Sequence, residues 1–176
     1  MTGRKTGYRR PFDMRSAKRL NRAQVNEALV CIWREHDYRL SSSYAGKQPF
    51  GLSKNEAAKN FLRREIYALG LALMRSPPSW DVSELVASGR ARRTTRIDVL
   101  EDRIFHALFM GVYDEDTLIK RQERWSMTRE LEYAHRHGVP PEYLCGFLYQ
   151  SGGRSGLLEK LKAGYVEPAF RDFASD

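Results

Sequence analysis

The stretch that most constrains the fold of this chain runs from Ser53 to Met74, SKNEAAKNFLRREIYALGLALM. Ser53-Lys54-Asn55-Glu56 has the spacing of a capping box, in which a hydroxyl and a carboxylate each satisfy a free backbone donor at a helix start. Behind it Ala57, Ala58, Phe61, Leu62, Ile66, Leu69 and Leu73 recur at steps of three and four, and from Tyr67 to Met74 apolar residues surround the axis. A helix that is apolar all round needs cover on every side, so the pattern predicts a central core helix over 53–74. Ser76-Pro77-Pro78 must end it, because the residue before a proline is pushed out of helical geometry.

The rest of the chain has the same periodicity and no strand-like alternation of useful length. Leu20, Val25, Ala28, Leu29, Ile32, Trp33 and His36 predict a helix from Ser16 onward, with Lys18, Arg19 and Arg22 on its solvent face. Residues 37–52 break the period with three serines, two glycines and a proline, a long loop that Tyr38, Tyr44 and Phe50 can pack onto the body. A short helix is expected from Asp81 to Gly89, then a second core helix over 96–110 carrying Ile97, Leu100, Ile104, Phe105, Leu108 and Phe109. Asp114-Glu115-Asp116 and His135-Arg136-His137 match the two ends of a helix dipole, predicting a helix from 114 to 137. Its modest apolar content places it on the outside. Shorter helices follow at 141–149 and 155–163, and the aromatic tail from Tyr165 to Phe173 is expected to fold back. The fold class is therefore all-α: a compact bundle of roughly five to seven helices with a basic N-terminal arm. At 176 residues one domain is natural. Residues 1–22 form the arm and 23–176 a single α-helical domain, within which 139–176 is a candidate small C-terminal subdomain.

Charge is concentrated at one end. The first 22 residues hold Arg4, Lys5, Arg9, Arg10, Arg15, Lys18, Arg19 and Arg22 against one acid, Asp13. The remaining 22 basic residues face 21 acids, so the chain reads as a nearly neutral body with a cationic arm. One further basic run, Arg90, Arg92, Arg93 and Arg96, contains no acid. Cys31 and Cys145 each sit among apolar neighbours, where a free thiol acts as a small core residue, and two such thiols fit a reducing compartment. No apolar run is long enough to span a bilayer, and no hydrophobic segment follows the arm as a secretory signal requires. The expected location is cytoplasmic, with an organelle matrix as the alternative that an Arg-rich, acid-poor amino terminus allows.

Guanidinium groups pair with phosphate through a planar fork, and Tyr8 and Phe12 interleave with the arginines as stacking residues do in single-strand binders. These twelve bases and two rings are the candidate site for nucleic acid, RNA or DNA. An acidic protein surface is the alternative partner, in which case the chain is an adaptor or structural subunit. Glu130 to Tyr149 resembles a helix-turn-helix in spacing, with Ala134, Gly138, Val139, Leu144 and Phe147 at its small, turn and core positions. His137 stands at a usually apolar position, and Pro140-Pro141-Glu142, Cys145 and Gly146 stand where base-reading Arg, Lys, Asn or Gln belong. A plain helical corner is the reading this favours.

Three further constellations are weaker. Glu132 and His135 share a helix face, but one such pair does not make a di-iron site, and Glu132 is expected to contact Arg136 instead. Gly152-Gly153-Arg154-Ser155-Gly156 lacks phosphate-loop spacing and reads as a flexible turn, with Ser155 the nearest cap. Cys145, His135 and His137 are the candidates a small enzyme would use, though nothing pairs them in sequence. No metal and no cofactor is called for. The function expected from the sequence is that of a non-enzymatic nucleic-acid-binding accessory protein.

Overall fold

A computed structural model describes residues 8–16, 18–44, 46, 51–80, 82, 103–112, 119–168 and 170. Among these the chain is all-helical, with six helices: α1 (Arg22–Leu40), α2 (Lys54–Arg75), α3 (Ile104–Val112), α4 (Arg121–Arg136), α5 (Leu144–Gln150) and α6 (Gly153–Lys162). The expected helix at 81–89, the basic run at 90–96 and the first turns of the helix placed at 96–110 lie outside the described residues.

The predicted core helix forms and sits at the centre. α2 packs against α1, α3, α4 and α5, and Ile66, Tyr67, Ala68 and Leu69 are fully buried. It stops at Arg75, before the two prolines, with Ser76 as its C-cap. Only half of the anticipated capping box is made: the Ser53 hydroxyl accepts from the Glu56 N–H at 3.2 Å, while the Glu56 carboxylate turns to Arg63. One main core draws on all six helices, from Val25, Leu29 and Ile32 of α1 through Phe105, Met127, Leu131 and Leu144 to Leu157 of α6.

Several sequence expectations change. α1 begins at Arg22 rather than Ser16, because Asn21 and Gln24 form a reciprocal capping box, each side chain meeting the other's backbone N–H at 2.9 Å. Upstream, Asp13 accepts from the Arg15 N–H at 2.8 Å and Ser16 from the Lys18 N–H at 3.1 Å. Short polar side chains that bond the nearby backbone in this way compete with the helix.

The helix placed at 114–137 begins at Arg121. Ile119 turns into the core at 1% exposure, and Lys120 is extended, with φ −61° and ψ 147°. α4 is also central rather than peripheral. It buries Arg124, Thr128 and Glu130 beside Met127, Leu131, Tyr133 and Ala134. Paired polar groups let a helix of modest apolar content face inward. Its C-terminus closes in a Schellman motif: Val139 N–H bonds Ala134 C=O at 3.2 Å and Gly138 N–H bonds His135 C=O at 2.9 Å, with Gly138 at φ +60°.

At α6, Gly152 is the N-cap and Ser155 lies inside the helix, so Ser155 does not cap it. The tail folds back as far as it is described. The Tyr133 hydroxyl donates to Glu167 at 2.9 Å, Lys160 reaches the same carboxylate oxygen at 2.7 Å, and Glu167 N–H donates to His137 Nε2 at 3.0 Å. His137 Nδ1 lies 2.7 Å from the Tyr133 carbonyl and donates to it.

The α2–α3 contact is close at Gly70, where an added Cβ would stand 2.4 Å from Phe105 Cε1. The Phe105 ring is buried and stacked 5.5 Å from Tyr67, so it has little room to retreat. Gly70→Ala gains helix propensity of about 1 kcal/mol but overpacks the core by ~1–3 kcal/mol. The expected outcome is a net loss of stability, read as a lower urea midpoint at unchanged slope.

Two buried histidines make stability acid-sensitive. Burial pushes His36 of α1 down to about 4, and burial with the charges of Arg124, Arg103 and Arg121 does the same to His106 of α3. Both start from an ordinary 6.5, so between pH 4 and 6.5 the unfolded chain binds more protons than the folded one. The stabilising effect is complete above pH 6.5 and falls as the pH drops, by on the order of 1 kcal/mol per pH unit for each ring. Melting temperatures recorded between pH 7 and 5 should decline, and His36→Gln with His106→Gln should flatten the decline whatever its effect at pH 7.

Candidate nucleic-acid interface

The described part of the arm, from Tyr8 to Leu20, is fastened to the body by a buried carboxylate. Glu65 of α2 is 2% exposed. Its Oε2 accepts from Arg10 Nε at 2.8 Å and its Oε1 from Arg10 Nη2 at 3.1 Å, a two-pronged pairing that matches the planar guanidinium fork. Tyr8 adds its hydroxyl at 3.2 Å and Arg64 its Nε at 3.2 Å. Desolvation works against the charge on Arg10, yet the bond to Glu65 and its charge outweigh that and hold the guanidinium pKa above its ordinary value. The Tyr8 phenol is driven upward by burial first and by the Glu65 charge second.

Two rings complete the attachment. Tyr8 stands edge-on to Phe61 with centroids 4.9 Å apart, and Phe12 is buried at 8% exposure with the Arg10 guanidinium over its face. The sequence marked both as stacking candidates. The structure places them in the packing, because α2 offers them an apolar wall and Arg10 an ion-pair partner. Further along, Arg75 Nη1 donates to the Met14 carbonyl at 3.0 Å and Trp80 Nε1 to the Leu20 carbonyl at 3.2 Å.

The anticipated cations divide accordingly. Arg10 is engaged by Glu65, whereas Arg9, Arg15, Lys18 and Arg19 are exposed and Arg22 is half-buried at the start of α1. Arg4, Lys5, Arg90, Arg92, Arg93 and Arg96 lie outside the described residues. The fixed segment thus turns one base and two rings inward and four bases outward.

A second feature was not singled out from sequence. A groove of about 1040 Å³ runs between the first half of α2 and residues 139–150, walled by Ala57, Phe61, Val139 and Phe147. Tyr143 and Tyr149 line it at 71% and 84% exposure. They belong to the helix-turn-helix-like corner, where α5 buries Leu144, Phe147 and Leu148. α5 has seven residues, with neither Arg nor Lys among them.

The remaining candidates have ordinary partners. Glu132 pairs with Arg129 at 2.9 Å and approaches Arg103 at 4.0 Å rather than meeting Arg136, whose guanidinium reaches the Leu161 carbonyl. Cys145 is a free thiol directed at the Asn60 carbonyl at 3.6 Å, and burial raises its pKa. His137 is enclosed by Tyr133, Phe147 and Phe170, and His135 meets Phe105 edge-on. Among the described residues no helix is long and apolar enough to cross a membrane. No protein-family model, curated protein or solved structure matches the chain.

Removing Arg10 leaves Glu65 buried with Arg64 as its nearest remaining cation. Arg10→Ala should cost about 1–3 kcal/mol, and Arg10→Leu combined with Glu65→Leu should recover much of it, because the second change removes the stranded charge. Urea unfolding of the three proteins checks the order.

Proposed function

We propose that this protein binds nucleic acid through the phosphate backbone, with Arg9, Arg15, Lys18 and Arg19 as the contacting bases of the described segment. The observation that carries this reading is their placement: four exposed cations on a short segment that Glu65 fastens to the body. Ordering such a segment in advance lowers the entropy lost on binding. The near-neutrality of the rest of the chain supports the same reading, since the positive field is then concentrated at one end. Arg22, with Arg4, Lys5 and the run Arg90, Arg92, Arg93 and Arg96, extends the set on grounds of sequence. Contacts of this kind fix position and orientation and carry no direct sequence information, which suits an accessory protein in a ribonucleoprotein or protein–DNA assembly.

Deleting residues 1–22 is a poor test, because it removes Tyr8, Arg10 and Phe12 from the core along with the exposed bases. The clean variant replaces Arg9, Arg15, Lys18 and Arg19 by alanine and leaves the attachment intact. Fluorescence anisotropy with labelled duplex at several salt concentrations should give a log–log slope near −0.9 for each phosphate contact. The fourfold variant should bind more weakly, with a slope shallower by roughly 3 to 4. Unchanged affinity and slope in the variant would contradict the reading. If the native chain ignores nucleic acid at moderate salt yet retains an acidic protein, the same cations belong to an adaptor's docking surface instead.

A further inference from the structure

We infer that the nucleic acid is single-stranded, with unstacked bases laid on Tyr143 and Tyr149 in the groove between α2 and α5. The inference rests on the phosphate-contact reading and adds to it the class of strand and a second contact surface.

The two tyrosines are the first reason. Phenol rings normally bury their faces and keep only the hydroxyl wet. Here both rings stand in solvent beside a groove, at 71% and 84% exposure. Aromatic faces of this kind are what single-strand binders offer to successive bases. A duplex has no use for them, since its bases are already stacked and paired. The groove's volume, about 1040 Å³, lies just above the range of roughly 300–1,000 Å³ for small-ligand pockets, which favours an extended occupant.

The charge along the groove is the second reason. Among the described residues Arg39, Lys54 and Arg64 line it, with Glu142 as the one acid. Lys54 bonds the neutral Ser41 carbonyl, so its ammonium charge is not cancelled there. Arg64 and Arg10 share the Glu65 carboxylate, two cations on one anion. Arg39 pairs with Glu35 and lies over Phe61 at 4.1 Å. An apolar floor bounded by cations is complementary to bases strung on phosphates.

Continuity is the third reason. Glu65 holds both Arg10 of the basic segment and Arg64 of the groove, and Tyr8 packs on the groove's own Phe61. The basic segment and the groove thus adjoin at Glu65 and Phe61.

The test uses the full chain and labelled oligo(dT), oligo(U) and duplex DNA of about 20 nucleotides, a length that exceeds the site size of one single-strand module. Tyr143→Ala with Tyr149→Ala changes two exposed side chains and should fold as the native chain does. Single-strand affinity is expected to fall by roughly tenfold or more, with duplex affinity and salt slope unchanged, and Tyr143→Phe with Tyr149→Phe should restore it. Undiminished single-strand affinity, or an equal loss on duplex, overturns the inference while the phosphate-contact reading stands. Failure of the native chain to bind any of the three probes overturns both. If the alanine variant instead loses affinity for an oligoglutamate peptide and keeps that for oligonucleotides, the groove belongs to an acidic protein and the inference falls.

Discussion

A carboxylate buried to 2% exposure cannot be left alone in a protein core, and Glu65 of α2 is in that position. The desolvation of one such ion costs several kcal/mol unless cations and donors surround it. Three side chains answer that demand, and two of them, Tyr8 and Arg10, come from a segment more than fifty residues upstream. The requirement of one buried charge therefore decides where a basic segment lies. It also divides that segment, since the base that satisfies Glu65 turns in and its neighbours Arg9 and Arg15 are left in solvent.

The same logic recurs two residues earlier on α2. Arg63 is buried, and its Nε meets Glu130 of α4 at 2.7 Å while its Nη1 meets Glu56 and Asn60, each at 2.9 Å. Burial opposes its charge, and the charges of Glu130 and Glu56 raise its pKa in spite of that. A full turn on, the Tyr67 hydroxyl donates to the Val139 carbonyl at 2.8 Å. Apolar contact makes α2 central, and these polar contacts fix which neighbour stands against which side. Hydrophobic burial is non-directional and does not by itself choose an orientation. The polar links hold the corner from α4 to α5 against α2, and with it the groove that exposes Tyr143 and Tyr149.

Periodicity, a serine cap and two prolines together make α2 legible in the sequence, because an apolar helix with a clear start and stop has one simple solution. The start of α1 is not legible in the periodicity, because Leu20 continues the apolar rhythm upstream, while the boundary is set by Asn21 and Gln24, two ordinary polar residues. α4 looks peripheral in a linear reading because Arg124, Thr128 and Glu130 count as polar there, whereas Glu130 meets Arg63 of α2 and Thr128 meets His106 of α3. Tyr8 among arginines has the same composition whether it stacks on bases or packs on Phe61, so sequence cannot separate the two. Tyr143 and Tyr149 were hidden in an apolar run, YLCGFLY, which reads as core throughout. Only the turn geometry decides which of its residues face outward.

For the exposed cations to be presented in advance, the basic segment must be held against α2 before any partner arrives. Backbone 15N relaxation of the free protein tests it most directly, since order parameters report the motion of residues 8–16 on the relevant timescale. The account predicts values near those of α2, about 0.8 or above, and a fall in this segment when Glu65 is replaced by leucine. Values below about 0.6 for residues 8–16 in the native chain would contradict it, because a segment that mobile is not held by Glu65.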